Sequence, residues 1–506
     1  MIRKAQEQES SPENNPSSLE AYFVPYRKSI VGGNSSFHTT YGTFPIVYAD
    51  WIASGRLHRW VEDAMIYKVG PMVANTHSFS SQTGKVSTYA YRHARGIIKS
   101  HVNASEEDAL VTTGTGMTGA LVRLQRIMGL RYPEVVREKL DIPERNRPVV
   151  FISHMEHHSN QVSWMETIAD VVIVPAGKDK LFSLENLEEL LQRYKDRAIK
   201  IGAFTACSNV TGIITPIHQM AKVMHRHGGF CIADFAASAP YVEINMHPED
   251  FVERLDAVVF SPHKFLGGPG SCGVLVFHRS MYASSVPDVP GGGNVLWTDP
   301  DGHFGYNQDI EVREDGGTPG FLQAIRAALS IRLKEAMGVD RIKERETELL
   351  GLCFKRLSKI KQVQILGDIQ VDRIGCVSFV VEGIHYNLMV RLLNDRFGVQ
   401  VRGGWSCAST YAHSLFDIDG TASHLIVQGI EKKDLSNKPG WVRLSLHPVM
   451  SNEELDYICD AIHQTIENVG QWQKDYKYDP ATNEFDHLVH EDAFLIKEVK
   501  GWFSLK

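Results

Sequence analysis

Short apolar runs alternate with segments of helical periodicity between residues 108 and 277. The runs are rich in valine, isoleucine and phenylalanine, as is typical of strands buried on both faces of a sheet. One intervening segment begins with Pro216 and stops at Gly228, which are signals for the first turn and the end of a helix. This alternation predicts an α/β domain with a mostly parallel sheet, whose ligands bind at the carboxyl ends of the strands. The predicted strands are ALVTT, PVVFISH, DVVIVPA, KIGAFTA, FCIADFA, LDAVVF and CGVLVF.

A second pattern begins near Arg341, where RIKERETELLGLCFKRLSKI predicts a long amphipathic helix. Two strands, GCVSFVVE and VRLSLH, follow it, and a further helix is opened by a Ser451–Glu454 capping box. We therefore predict three parts of the chain: a polar, disordered segment (1–36), a large domain (37–340) whose first residues we expect to pack on the small domain, and a small α+β domain (341–506). A polar stretch at about 411–440 reads as an insertion in the small domain.

Composition narrows the classes of function. The chain has 506 residues, a net charge of −7 and a pI near 6.3, which gives no basic surface for nucleic acid. No apolar stretch reaches the roughly 18 residues of a membrane span. The N-terminus lacks the apolar core of a secretory signal. Seven cysteines without a CxxC pair indicate free thiols in a reducing compartment. We therefore expect a cytoplasmic protein that binds neither membrane nor nucleic acid.

Two of the strand ends carry residues suited to a phosphate and to a flat ring. In TTGTGMTGAL, Thr115 and Gly116 lead into a helix whose free N–H groups suit a phosphate, although glycines also make ordinary turns there. In SHMEHHSN, the three histidines match no common zinc spacing, so we predict no metal site. One of them could instead lie flat on an aromatic ligand, or all three could be polar loop residues.

Two further strand ends carry single buried charges. Asp234 ends the apolar strand FCIAD, and Lys264 lies between the apolar runs of LDAVVFSPHKFLGGPGSCGVLVF. A carboxylate in such a place needs a cationic partner, or burial will raise its pKa. The two could form a simple salt bridge. Taken with the other two loops, they also match the phosphate, flat ring, ring nitrogen and aldehyde of pyridoxal phosphate.

At these motifs the chain resembles class V aminotransferase-fold enzymes, in the cysteine desulfurase and selenocysteine lyase branch of fold type I. The resemblance runs from VYADWIASG (47–55) to VRLSLH (442–447). It implies a pyridoxal-phosphate transferase fold with a seven-stranded sheet, and a homodimer with the cofactor site at the subunit interface. It also implies the following roles: Lys264 as the Schiff-base lysine, Ser261, His263, Thr115 and Gly116 around the phosphate, His157 stacked on the ring, Asp234 on the ring nitrogen, Asn209 near the ring hydroxyl, and Thr318 on the partner's cofactor phosphate. The substrate-binding residues that it implies are Arg443, Arg402 and Asn209.

The resemblance also assigns a sulfur acceptor. Desulfurases carry their reactive cysteine a few residues after an arginine, and Cys407 follows Arg402 in QVRGGWSCAST at that spacing. The other six cysteines lie in apolar or helical contexts typical of buried thiols. Two positions depart from the family pattern. Trp405 stands where many relatives have a histidine, and Ala237 stands where a glutamine usually contacts the ring hydroxyl, unless Ser238 replaces that contact.

Three functions remain open from the sequence. The first is removal of sulfur or selenium from cysteine or selenocysteine, giving alanine, with Lys264, Cys407 and His157 as catalytic residues and a possible sulfur-acceptor protein. The second is transamination, or lyase or epimerase chemistry on another amino acid, with Cys407 a bystander. The third is a silent scaffold, which the intact Lys264, Asp234 and His157 disfavour. A common fold does not decide between them.

Overall fold

The computed structural model describes residues 18–489 and 492–504. Of the segment predicted to be disordered, residues 1–17 lie outside the described part. Residues 18–36 differ from the prediction, because α1 (Leu19–Lys28) is capped by Ser18 and buries Phe23 and Tyr26. Both rings join the apolar core of the small domain, which explains why this polar-looking segment is ordered.

The region after α1 connects the two domains. It contains β1 (Ser36–Thr39), β2 (Gly42–Pro45), β3 (Val47–Tyr48), α2 (Arg59–Asp63), a π-helical segment (Ala64–Val69) and α3 (Gln82–His101). The two residues of β3 pair in parallel with β15 (Val399–Gln400) of the small domain. The first residues of the large domain therefore lie against the small one.

A seven-stranded sheet forms the centre of the large domain. Its strand order is β4-β10-β9-β8-β7-β5-β6, and β10 runs antiparallel to both of its neighbours, β4 and β9. The other neighbouring pairs are parallel, which confirms the predicted mostly parallel α/β fold. The strands are β4 (Asp108–Thr113), β5 (Val149–Ser153), β6 (Asp170–Val174), β7 (Lys200–Thr205), β8 (Phe230–Asp234), β9 (Ala257–Phe260) and β10 (Gly273–His278).

Helices cover both faces of this sheet. The best predicted of them is α8 (Ile217–Arg226), which has Pro216 at its N-cap, while Gly228 beyond its end adopts a positive φ of 68°. The helices are α4 (Met117–Ile127), α5 (Glu134–Arg137), α6 (His158–Met165), α7 (Leu184–Arg193) and α8, and, after the hairpin β11 (Val295–Thr298)–β12 (Phe304–Tyr306), α9 (Ile310–Arg313) and α10 (Phe321–Met337).

The small domain packs helices on a four-stranded antiparallel sheet of order β13-β14-β17-β16. The predicted capping box is present, because Ser451 Oγ accepts from Glu454 N and the Glu454 side chain accepts from Ser451 N. The elements are α11 (Val339–Leu357), β13 (Val363–Ile365), β14 (Cys376–Val381), α12 (Tyr386–Phe397), β15, β16 (Arg402–Gly404), α13 (Ser409–Leu415), α14 (Gly420–Glu431), β17 (Trp441–Ser445), α15 (Asn452–Trp472), β18 (Tyr476–Asp479), β19 (Glu484–His487) and α16 (Asp492–Trp502).

The stretch predicted as a polar insertion is folded. Most of it forms α13 and α14, and Tyr411 and Ala412 of α13 join a buried cluster with Trp405 and Trp441. The polar composition of the stretch concealed this anchoring. Across residues 18–489 and 492–504, none of the helices has both the length and the apolar character that a membrane crossing needs.

Candidate active site

A cavity of about 330 Å³ opens at the carboxyl ends of β7, β8 and β9, between the two domains. Eleven of the twelve predicted site residues line it, and Thr318 is the exception. The strands bring residues that are far apart in sequence to one edge of the sheet, as expected for an α/β fold. Arg402, Cys407 and Arg443 reach the same space from the small domain.

The start of α4 faces a polar cradle. Met117 N donates to Ser261 Oγ over 2.8 Å. A Cβ added to Gly116 would lie 3.1 Å from Ser261 Oγ and 3.4 Å from His263 Nε2, so a side chain there would crowd the groups that the helix start faces. Backbone N–H groups, a hydroxyl and an imidazole converge here around space that glycine keeps open, and this is the donor set that a phosphate group requires.

Lys264 ends a single 3₁₀ turn (Pro262–Lys264) directly after β9. The turn folds back so tightly that a Cβ on Gly268 would lie 1.8 Å from the Pro262 carbonyl oxygen, which explains one of the glycines after the lysine. The ammonium is partly exposed to the cavity. Desolvation lowers the pKa of Lys264 to about 8, although Asp234 opposes the shift. A substantial fraction of this amine is therefore neutral slightly above neutral pH.

Asp234 ends β8 with its carboxyl group buried in the cavity floor. Its Oδ1 accepts a hydrogen bond of 2.8 Å from Ala236 N. Burial raises the pKa of Asp234 to about 6, and Lys264 lowers it less strongly. A buried carboxylate of this kind is suited to pair with a cationic group of a ligand.

His157 is the N-cap of α6, and its Nδ1 accepts from Ser159 N at 3.1 Å. Burial, with further repulsion from Lys264, lowers the pKa of His157 to about 4, so the imidazole is neutral at pH 7. A neutral ring suits stacking on a flat ligand better than an imidazolium does, because covering it does not require the desolvation of a charge.

Glu156, which the sequence reasoning missed, lies behind His157. It is fully buried, and its carboxyl group accepts from Ser153 Oγ, Thr205 N and Asn160 Nδ2. These contacts tie the ends of β5 and β7 to α6 and so fix the start of the helix that carries His157. Burial raises the pKa of Glu156 to about 7.

Arg443 and Arg402 share one carboxylate. Arg443 donates to Asp50 Oδ1 over 2.7 Å, while Arg402 Nε lies 3.1 Å from Asp50 Oδ2. The other terminal nitrogen of Arg443 donates to Asn209 O at 3.1 Å. Both terminal nitrogens of Arg443 are thus already engaged. Asp50 is the sole acid of the segment VYADWIASG, at the end of a short apolar strand. That position is the signal from which Asp50 could have been predicted as a site residue.

The loop that carries Cys407 is held at several points. His158 N donates to Cys407 O over 2.7 Å, and Asn209 Nδ2 donates to Ser406 O over 2.8 Å. His158 Nε2 also accepts from Ser409 N at 3.1 Å. Ser406 and Cys407 both adopt positive φ values, of 48° and 58°, which this set of contacts maintains. The predicted contrast among thiols is confirmed, since Cys407 is exposed and the six others are buried.

Trp405 stands beside this cysteine without blocking it. Its indole is mostly buried in the cluster with Tyr411 and Trp441, and Lys438 Nζ lies 4.6 Å from the centre of its ring. Desolvation lowers the pKa of Lys438, and the nearby Cys407 opposes that shift. The folded insertion therefore places a lysine near Cys407.

The remaining residues considered in the sequence analysis, Ala237, Ser238 and Thr318, do not all lie at the cavity. Ala237 lines the cavity, but Ser238 lines a different one on the far side of the turn, so Ser238 does not replace the missing glutamine contact. Thr318 is exposed on the loop before α10. Its predicted role toward a partner subunit stays a prediction.

The chain is similar to known proteins over most of its length. Residues 47–458 match the family model described as aminotransferase class-V. A probable cysteine desulfurase from Halalkalibacterium halodurans is 27% identical over 433 residues, which cover 84% of this chain and 94% of the relative. A probable cysteine desulfurase from Synechocystis is 25% identical over 428 residues, covering 83% and 91% of the two chains.

Solved structures show the same fold. The apo structure of a cysteine desulfurase from Thermococcus onnurineus superposes with a TM-score of 0.69 at 22% identity, covering 88% of this chain and 98% of the other. A cysteine desulfurase from Escherichia coli superposes with a TM-score of 0.64, also at 22% identity, covering 84% and 96%.

Proposed function

The chain belongs to the class-V aminotransferase family, and on that premise we propose that it is a pyridoxal-phosphate-dependent enzyme that removes sulfur from cysteine, or selenium from selenocysteine, and leaves alanine. The observation that carries this proposal is the meeting of Lys264 and an exposed Cys407 in one cavity. A transaminase needs the lysine but has no use for a thiol at that place.

The residues of the cavity fit the cofactor. Gly116, Ser261 and His263 form a cradle for the phosphate, and a Cβ at Gly116 would crowd it, at 3.1 Å from Ser261 Oγ. The neutral His157 ring suits stacking, the buried Asp234 suits a protonated ring nitrogen, and Lys264 supplies the attaching amine. When bound, pyridoxal phosphate supplies a ring that stabilises negative charge on the α-carbon of an amino acid.

Lys264 is the proton carrier at the α-carbon. Its lowered pKa of about 8 lets it act as a base near neutral pH and then return the proton as an acid. His157 stays neutral over the same range and acts by contact with the ring. Arg443, held by Asp50 and Asn209, presents a fixed positive charge to the substrate carboxylate, with Arg402 beside it.

Cys407 is the sulfur acceptor. In the transfer step the Cβ–S bond of the substrate breaks, its electron pair stays on Cβ, and Cβ takes a proton, which gives alanine. The thiolate of Cys407 forms an S–S bond to the transferred atom, and a thiol reductant or an acceptor protein then removes that sulfur. The contacts from His158 and Asn209 keep the loop in place for this attack.

We extend the proposal to a homodimer that works in the cytoplasm, in which Thr318 contacts the cofactor phosphate of the partner subunit. Its exposure on the loop before α10 is consistent with a contact to a second chain. Sedimentation of the cofactor-bound protein measures its oligomeric state. A monomer that is fully active would contradict the proposed dimer.

Product analysis tests the function. The purified enzyme is incubated with cysteine and dithiothreitol, and alanine, sulfide and keto acid are measured, with Cys407→Ala and the buried-thiol variant Cys231→Ala compared. We expect equal amounts of alanine and sulfide from the enzyme and from Cys231→Ala, and none from Cys407→Ala. Keto acid without sulfide would favour transamination, and normal sulfide release by Cys407→Ala would make Cys407 a bystander.

A further inference from the structure

Asp50 is the acid between the two arginines of the cavity, and it does not itself line the cavity. Its Oδ1 accepts from Arg443 over 2.7 Å, and its Oδ2 lies 3.1 Å from both Nε and a terminal nitrogen of Arg402. The Asp50 carboxyl group is 13% exposed and the Arg443 side chain 4%, whereas Arg402 is 52% exposed. One arm of the bridge is therefore shielded from solvent and the other is open.

The fold fixes this acid in place. Asp50 follows β3 and forms a parallel bridge with Ser445 at the end of β17, the strand that carries Arg443. Ser445 N donates to Ala49 O over 2.7 Å, and Tyr48 OH donates to Asp50 O at 3.2 Å. The backbone is thus held on both sides of the acid, in a position from which its carboxylate contacts both arginines.

The bridge changes the charge that the arginines offer to a ligand. Two guanidinium groups facing one small cavity would suit two carboxylates, because each can take one in a two-pronged pair. With Asp50 between them, the three groups together carry a single positive charge, and both terminal nitrogens of Arg443 are occupied, one by Asp50 and the other by Asn209 O. A substrate that brings a second negative charge meets the Asp50 carboxylate with no cation left to balance it.

We propose that Asp50 is a positioning residue that sets substrate specificity: it orients both arginines for one α-carboxylate and excludes amino acids with an anionic side chain. This deepens the proposed function, on which it rests, because cysteine and selenocysteine carry only one carboxylate. The other charges of the cavity, Lys264 and Asp234, oppose each other and lie on the large-domain side.

The test compares the binding of L-alanine and L-aspartate to the cofactor-bound enzyme, read from the cofactor absorbance at equilibrium. Removing a unit charge about 6 Å from a second carboxylate, at an effective dielectric of about 20, changes affinity by on the order of 10- to 100-fold. In Asp50→Asn we therefore expect the affinity for aspartate relative to alanine to rise at least about tenfold. Asp50→Glu keeps the charge and should keep the ratio near that of the unmutated enzyme.

Two further variants keep the test decisive. Asp170 also bridges two arginines, with 2.9 Å to Arg147 and 2.6 Å to Arg197, but outside the cavity, so Asp170→Asn should leave the ratio unchanged. Arg402→Gln removes the exposed cation and should lower the ratio, which gives an independent reading if Asp50→Asn fails to fold. An unchanged ratio in Asp50→Asn, or in Arg402→Gln when the former does not fold, overturns the assignment. The binding ratio involves no sulfide measurement, so an unchanged ratio would overturn the role of Asp50 and leave the desulfurase proposal standing. A lack of sulfide from cysteine would overturn the desulfurase proposal and leave the role of Asp50 in binding standing.

Discussion

Replacing Lys264 by methionine should make the cofactor-free protein more stable. The ammonium has no hydrogen bond or ion pair within the described part of the chain, yet burial lowers its pKa from 10.5 to about 8. At about 1.4 kcal/mol for each pKa unit, keeping this charge in the folded state costs about 3 kcal/mol. Because the amine partly faces the cavity, water reduces that cost, and we expect Lys264→Met to raise the free energy of unfolding by about 1 to 3 kcal/mol.

The pH dependence gives this prediction a definite sign. Below pH 8 the lysine is charged in both the folded and the unfolded protein, so the unmutated chain bears the whole cost and the variant has its full advantage. Between pH 8 and 10.5 the folded protein loses the proton first, and the unmutated chain gains stability relative to the variant. Above 10.5 the amine is neutral in both states, and the difference due to the charge vanishes.

Urea unfolding of the cofactor-free proteins at pH 7 and pH 10 measures this difference. Lys334 provides the control, because burial also lowers its pKa, to about 7, but its ammonium donates to the backbone oxygens of Ala239 and Val242. Lys334→Met leaves two buried carbonyls unsatisfied and should destabilise the protein. If Lys264→Met lowers stability at pH 7 as Lys334→Met does, Lys264 is a structural cation and our interpretation of its burial is wrong.

Three other substitutions test separate parts of the site. Gly116→Ala places a Cβ 3.1 Å from Ser261 Oγ and should weaken cofactor binding about tenfold or more, measured by equilibrium dialysis; unchanged binding would remove the phosphate from this cradle. Arg443→Lys loses the fork that holds Asp50 and Asn209, so KM for cysteine should rise at least about tenfold with a smaller change in cofactor affinity. His158→Ala removes the hydrogen bond from Ser409 N and should slow sulfide release about tenfold while the cofactor spectrum stays the same; an equal loss of cofactor would show that His158 supports the ring instead of the loop.

The sequence predicted the large domain well because its strands are apolar throughout and its helices carry end signals of their own. The strand ends then placed Lys264, Asp234 and His157 in one cavity, since parallel strands finish at the same edge. Residue type and local pattern were enough for Lys264 and Asp234, each of which is unusual in its apolar surroundings, whereas only the family resemblance distinguished His157 from the two histidines near it.

What the sequence did not reveal depends on contacts between distant segments. Asp50 contacts the two arginines only because the chain after β3 lies beside β17 in the folded protein. Glu156 likewise finds its hydrogen-bond partners only where the ends of β5 and β7 meet α6. The sequence of α1 was predicted to be part of a disordered polar tail, because two buried rings, Phe23 and Tyr26, are too few to indicate a buried helix face. The support of the Cys407 loop by His158 likewise crosses from one domain to the other.

The sulfur-transfer claim is tested most directly by mixing the enzyme with one equivalent of cysteine in the absence of reductant. The masses of the cysteine-containing peptides are then measured by mass spectrometry. Our account predicts that the peptide with Cys407 gains the mass of one sulfur atom, that one alanine forms for each sulfur bound, and that the peptides of the six buried cysteines stay unmodified. Alanine or keto acid formed while the Cys407 peptide keeps its original mass would contradict the account.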